Sequence, residues 1–274
     1  MSLLQQRMSG NQCLMMAASV RGATHKRHNI PNQDSIRCYI SDAVILAISD
    51  GHGSKKSFRS DQGSSFAVKI ATETIKKFVK SIKSYNYNLS FIKRLANEQL
   101  PKFIVQKWLA AVDADIRNNP FSEAELKILE GKTTIAYGAT LLIVLVTEDF
   151  IIYWQLGDGN ILTVWENNII EQPILRDERL FANETTSLCI KDAWRDFSLT
   201  FQVITNKSPQ LILLATDGYA NSFPDDANFL KVASDITQLI KKEGSSFVTK
   251  NLEQWLTEAS KSGSGDDITI GIIK

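Results

Sequence analysis

The chain is poor in cysteine, nearly free of net charge and without a long apolar run, and each shortage removes a class of function. Its three cysteines, Cys13, Cys38 and Cys189, are widely spaced and form no C-x-x-C pair. That excludes a disulfide framework and a thiolate zinc site, and it points to a reducing compartment, the cytoplasm. With 31 Lys and Arg against 30 Asp and Glu, the net charge is +1, so nothing draws nucleic acid or an anionic membrane surface. Apolar runs such as Leu141 to Val146 are far shorter than the ~20 residues of a membrane helix. Neither a Walker loop nor a Gly-rich dinucleotide turn occurs. With 274 residues, 43% hydrophobic and 22% charged, the chain can still bury a full core. Residues 1–12 read as a flexible N-terminal tail and residues 13–274 as one domain.

What is present centres on Ala43 to Gly53, AVILAISDGHG. Six apolar or small residues, 43–48, read as a strand buried on both faces, and Ser49-Asp50-Gly51-His52-Gly53 then breaks it. A carboxylate at a strand end, glycines that let carbonyls approach a ligand and an imidazole two residues on suit a hard cation or a phosphoryl group. Taken alone, the same residues also describe a hairpin turn with a solvated aspartate.

The rest of the chain favours the first reading. Leu14 to Val20 reads as a strand, and the loop after it, Arg21 to Ser35, carries His25, Lys26, Arg27 and His28 and ends on Asp34. The basic cluster reads as a solvated face from which one or two members meet phosphate. Pairing 36–40 with 43–49 through Ser41-Asp42 brings Asp34 and Asp50 to the same end of a sheet. Phe66, Ile70, Thr74, Phe78 and Ile82 recur every four residues and predict a helix packed on that sheet. Pro101 opens another helix, which Asn118-Asn119-Pro120 stops. From Tyr137 to Ile170 the pattern is an antiparallel meander, with Gly157-Asp158-Gly159 as an ordinary hairpin turn. Residues 176–194 have no clear period and read as a surface excursion. The sequon Asn183-Glu184-Thr185 within it means nothing in a reducing compartment. Leu211 to Ala215 repeats the buried-strand design before Thr216-Asp217-Gly218. Two helices, 228–242 and 246–260, lead to Asp266-Asp267 and a closing strand, 268–273.

Four acidic positions thus share one form: Asp34 and Asp266 enter strands, while Asp50 and Asp217 leave them. Converging carboxylates repel one another at a cost that a cation offsets. The available ligands are oxygens, which indicates Mg2+ or Mn2+ over Zn2+.

The ordered set Asn32-Gln33-Asp34, Ser49-Asp50-Gly51-His52-Gly53, Gly138-Ala139-Thr140, Leu156-Gly157-Asp158-Gly159-Asn160, Ala215-Thr216-Asp217-Gly218 and Gly265-Asp266-Asp267-Ile268-Thr269 resembles the metal-dependent Ser/Thr protein phosphatases of type 2C, especially their bacterial branch. The resemblance runs from about Leu14 onward. It implies an α+β fold, a four-layer α-β-β-α sandwich of two antiparallel sheets flanked by helices, with two Mn2+ or Mg2+ ions at one end. Carried over by position, Asp50 bridges both ions, the Gly51 carbonyl and, through water, Asp34 hold one, and Asp217 and Asp266 hold the other. Asp158 matches the recruiter of a third, weaker ion, and His52 the general acid. The implied partners are phosphorylated proteins and a cognate Ser/Thr kinase. The rival reading is a catalytically silent phosphoprotein-binding module of the same fold. Three positions depart from the family pattern: Gln33 for Glu, Asn29 for a phosphate-binding Arg, and Asn221 for an acid. The first and third predict weaker metal affinity. The second passes the phosphate role to Arg27 or His25.

Overall fold

A computed structural model of the chain describes residues 2–8, 11–82, 88–174, 186–205 and 207–274. Two antiparallel sheets lie face to face. One has six strands in the order β1 (Ser2–Met8), β2 (Asn11–Val20), β11 (Ile268–Ile273), β10 (Leu211–Ala215), β7 (Asn160–Val164) and β8 (Ile170–Glu171). The other has five: β3 (Ser35–Ile40), β4 (Val44–Ser49), β5 (Leu141–Val146), β6 (Phe150–Leu156) and β9 (Ser198–Val203). Alternation along β4 explains its unbroken apolar character. Val44, Leu46 and Ile48 face into the sandwich with Met15, Val144, Tyr153 and Leu214, while Ile45 and Ala47 face the helices outside. The sheets approach closely where β11 crosses β4, because a Cβ on Gly271 would lie 2.6 Å from a methyl of Leu46.

Helices α2 (Ser60–Ile82), α3 (Leu89–Glu98) and α4 (Leu100–Asn118) cover the five-stranded sheet, and α7 (Asp226–Glu243) and α8 (Ser245–Ser262) cover the six-stranded one. The four-layer sandwich implied by the sequence is therefore the fold. Pro101 sits in the first turn of α4, where its missing N–H costs nothing, and the helix ends at Asn119. Trp108 of α4 and Trp154 of β6 are fully buried, and each indole N–H is satisfied, by the carbonyls of Gly63 at 2.9 Å and Ala96 at 3.0 Å. Among the described residues no helix is long and apolar enough to cross a membrane. The three cysteines are free thiols.

Several elements differ from expectation. The supposed meander breaks after its first hairpin: β6 pairs with β5 and β9, but β7 pairs with β10 in the opposite sheet. The turn at Gly157-Asp158-Gly159 is thus a crossing between sheets. Gly157 takes φ +101°, and Gly159 passes so close to Leu142 that a Cβ would sit 2.8 Å from its methyl. Residues 2–8, read as part of a loose tail, form β1 along the edge of β2, where they satisfy backbone groups an edge strand would leave unpaired. Within the expected loop 21–35 stands a short helix, α1 (Ala23–His28), with no buried residue. Lacking an apolar face, it has no hydrophobic signal to read. A helix α5 (Glu123–Leu129), opened by a Ser122/Glu125 capping box, was also not expected. The sequon and residues 176–185 of the excursion lie outside the described residues.

Gly63 of α2 packs against the chain that supports the site, since a Cβ there would fall 1.9 Å from the carbonyl oxygen of Tyr137. The variant Gly63→Ala should therefore lose about 1–3 kcal/mol in urea unfolding. An unchanged midpoint would mean that α2 yields without cost.

Candidate metal centre

The acidic positions converge where strands of both sheets end. Ser35, the first residue of β3, pairs with Ser49, the last of β4, so Asp34 and Asp50 occupy adjacent strand ends. In the other sheet β10 runs into the four-residue helix α6 (Asp217–Ala220) beside the start of β11, which places Asp217 near Asp266. A buried bond joins the two halves, with the Thr216 hydroxyl donating to Asp34 Oδ2 at 2.8 Å. Asp50 is fixed through its backbone: its N–H donates to Thr140 Oγ1 at 3.0 Å, and Thr140 N–H donates to its carbonyl at 2.8 Å. Gly51 tolerates no side chain, because a Cβ would lie 2.6 Å from the Gln33 carbonyl and 2.8 Å from that of Ser60.

The electrostatics follow from this crowding. Burial pushes the Asp34 carboxyl up to about 7; the nearby charge of Asp267 adds to the rise, while hydroxyl bonds from Thr269 and Thr216 oppose it. Asp50 is raised well above the ordinary carboxylate range, first by burial and then by the charges of Asp34 and Asp217, with which its carboxyl is in hydrogen-bond contact. Asp266 is raised too, by the protein packed around it and by Asp217, against the Asp267 N–H and His25. Asp34 Oδ1 is buried and meets no donor. A buried, unpartnered carboxylate oxygen within a group of mutually repelling acids is the donor set a hard divalent cation requires, so Asp34, Asp50, Asp217 and Asp266 fit Mn2+ or Mg2+.

His52 sits beside this group, its backbone N–H donating to the Gly138 carbonyl at 3.0 Å and its ring Nε2 buried without a partner. Burial holds its imidazole below the usual value, and the charges of Asp158 and Asp217 pull the other way. Asp158 is exposed on the crossing turn and reaches the site through this interaction with His52.

The two expected phosphate binders separate. Arg27 is exposed on α1 and donates to Thr24 Oγ1 at 3.1 Å, whereas the His25 Nδ1 lies 2.9 Å from Asp267 Oδ2. Asn29 caps α1 in the left-handed region at φ 56°, a conformation asparagine accepts readily. Asn221 donates to Asp217 Oδ2 at 3.1 Å, and the Gln33 side-chain oxygen is buried without a partner. Asp267 is the residue sequence reasoning undervalued. Only 3% exposed, it accepts from Gly22 N–H and Gln33 N–H, each at 2.6 Å, as well as meeting His25. Its one signal in the sequence is the doublet with Asp266.

Comparison with known proteins identifies the family and the fold. The profile described as Protein phosphatase 2C matches residues 21–257, and the chain belongs to that family. No curated protein sequence matches significantly. Among solved structures, the Ser/Thr phosphatase Stp1 from Staphylococcus aureus is 18% identical with a TM-score of 0.57, over 94% of this chain and 93% of that one. The catalytic domain of the Ser/Thr phosphatase PstP in complex with two manganese ions is 15% identical with a TM-score of 0.54, over 96% and 97%. RsbX in complex with magnesium is 14% identical with a TM-score of 0.53, over 99% and 98%. At these identities the likeness is one of fold.

A raised carboxyl pKa has a defined consequence for stability in EDTA. Below about pH 4 Asp34 is protonated in the folded and unfolded chain alike; from there to about pH 7 only the folded form keeps the proton, so stability falls as pH rises through that window. Asp34→Asn removes this dependence and should stabilise the metal-free protein at pH 8 by roughly 2 kcal/mol. Urea midpoints at pH 5 and pH 8 read the effect, and a native chain whose stability rises between them would contradict it.

Proposed function

We propose that the protein is a Mn2+- or Mg2+-dependent phosphatase of phosphoserine and phosphothreonine proteins. The observation that carries this is the contact of Asp50 with both Asp34 and Asp217, with Asp34 Oδ1 buried and unpartnered. In this reading Asp50 bridges two ions, the Gly51 carbonyl and Asp34 belong to one, Asp217 and Asp266 to the other, and Asp158 serves a weaker third. When bound, such ions supply an acidified water and neutralise charge on the phosphoryl group. The protein's own residues do the remaining work. His52 gives a proton to the departing serine or threonine oxygen, which would otherwise leave as a costly alkoxide. Its buried ring favours the neutral form, and the charges of Asp158 and Asp217, joined by a phosphate dianion, favour the proton. Arg27, an exposed cation of α1 beside Lys26, attracts the phosphoryl group. The donor from Asn221 to Asp217 and the neutral Gln33 reduce the negative charge available to metal, so a requirement for high metal concentration is expected. A phosphoprotein and its kinase are the partners, and the cytoplasm the location, that go with this activity.

Hydrolysis of p-nitrophenyl phosphate and of a phosphothreonine peptide, with Mn2+ titrated in, tests the proposal. Turnover should depend on Mn2+ and fall at least about a hundredfold in Asp50→Asn. A folded chain that binds Mn2+ and phosphopeptide yet turns over neither substrate would be the silent binding module instead. Faster turnover of nucleotides than of the peptide would move the substrate class to small phosphates.

A further inference from the structure

Helix α1 has no buried residue and is held by polar contacts to the turn that carries Asp266. Thr24 N–H donates to the Gly265 carbonyl at 2.8 Å, Ala23 N–H to Ser260 Oγ at 3.0 Å, and Ser260 Oγ to the Asp266 carbonyl at 2.7 Å. Gly22 allows the approach, since a Cβ there would lie 2.4 Å from the Asp266 carbonyl carbon. From the other side Arg21 Nη2 donates to the His25 carbonyl at 3.0 Å. These contacts fix one side chain in particular, the imidazole of His25, which is 12% exposed.

The ring's two nitrogens differ in what they face. Nδ1 meets Asp267, whose oxygens already take two backbone N–H groups, so the network assigns the ring proton to Nδ1. Nε2 is then left as a lone-pair donor, 3.9 Å from Asp266 Oδ1. Two donors each about 2.1 Å from one ion stand about 2.8–4.2 Å apart, so this separation suits a shared cation. A carboxylate that holds the far N–H of a metal-binding histidine is a recurrent arrangement that sets tautomer and ring direction. The donor atoms of His25, Asp266 and Asp267 lie within 4.8 Å of one another. A separate observation calls for positive charge here: Asp34, 7% exposed with Oδ1 unpartnered, feels the charge of Asp267 as well as that of its own neighbours.

We propose that His25, oriented by Asp267, supplies an imidazole nitrogen to the divalent ion held by Asp266. This rests on the assignment of Asp266 as a ligand made above. It moves His25 from phosphate to metal and gives one ion a softer donor than an all-oxygen site, which favours Mn2+ over Mg2+.

The test uses the full chain loaded with Mn2+. Electron spin-echo envelope modulation detects nitrogen directly bound to Mn2+, and titration calorimetry gives affinities for Mn2+ and Mg2+. His25→Asn places an amide donor near the position of Nδ1, keeping the bond to Asp267 and removing Nε2; thermal unfolding in EDTA checks that it folds. The native protein should show nitrogen coupling. In His25→Asn that coupling should vanish and Mn2+ affinity at one site should fall about tenfold, with Mg2+ affinity changed less. Absence of coupling in the native Mn2+ form, a measurement that needs no variant, overturns the proposal, as does coupling that persists in His25→Asn. Asp266→Asn separates the two levels of failure. If it loses an ion while the native form shows no nitrogen coupling, only the role of His25 falls; if it binds Mn2+ like the native chain, the assignment of Asp266 falls with it.

Discussion

Carboxylates held closer than they would choose to be are the constraint on which the rest of this structure depends. Asp50 is repelled by both Asp34 and Asp217, and Asp34 and Asp50 are costly to strip of water. They stay together because none is placed by a flexible side chain alone. Each follows from a strand end whose backbone is tied into a sheet, and the sheets are in turn tied to each other through Thr216, Thr140 and the packed layer between them. The helices outside matter to the site chiefly as weight on those sheets. Apolar burial thus offsets the repulsion.

This division of labour explains how much could be read from the chain in advance. The apolar run into Asp50, the same design at Asp217, and the Asp-Asp entry to the last strand are local patterns with local causes, and all three aspartates reach the site. The hairpin joining Asp34 to Asp50 was also legible, although its loop has three residues, Ser41 to Ala43, so that Ile40 pairs with Val44 where a two-residue turn would pair it with Ala43. The crossing at Gly157 to Gly159 was not, since Gly-Asp-Gly serves a hairpin equally well and only the pairing of β7 with β10 decides. Helix α1 escaped notice for a different reason. It is held by hydrogen bonds to a carbonyl, a hydroxyl and a carboxylate more than 200 residues away in sequence, and such bonds leave no periodicity. Asp267 likewise has no periodic signal, although its two oxygens accept from Gly22 N–H and Gln33 N–H on either side of α1.

The modest identity to phosphatases of the same fold fits this picture. Identities of 14–18% leave most core residues exchanged. What has to persist is volume between the sheets and acids at the strand ends, and interiors of this kind accept wide substitution as long as volume and pattern are kept.

The pairing of β2 with β11, which sets Val20 opposite Ile268, has a consequence for how the protein comes into being. Asp34 and Asp50 leave the ribosome early, and Asp266 emerges more than 200 residues later with the strand that inserts between β2 and β10. During synthesis the six-stranded sheet therefore has a slot at its middle, and the nascent chain carries half of the acidic cluster with nothing to close it. Such long-range closure is slow and leaves strand edges exposed while it waits. The acidic cluster thus closes in one late step, so that a chain terminated before β11 lacks Asp266 and Asp267 and keeps its six-stranded sheet open.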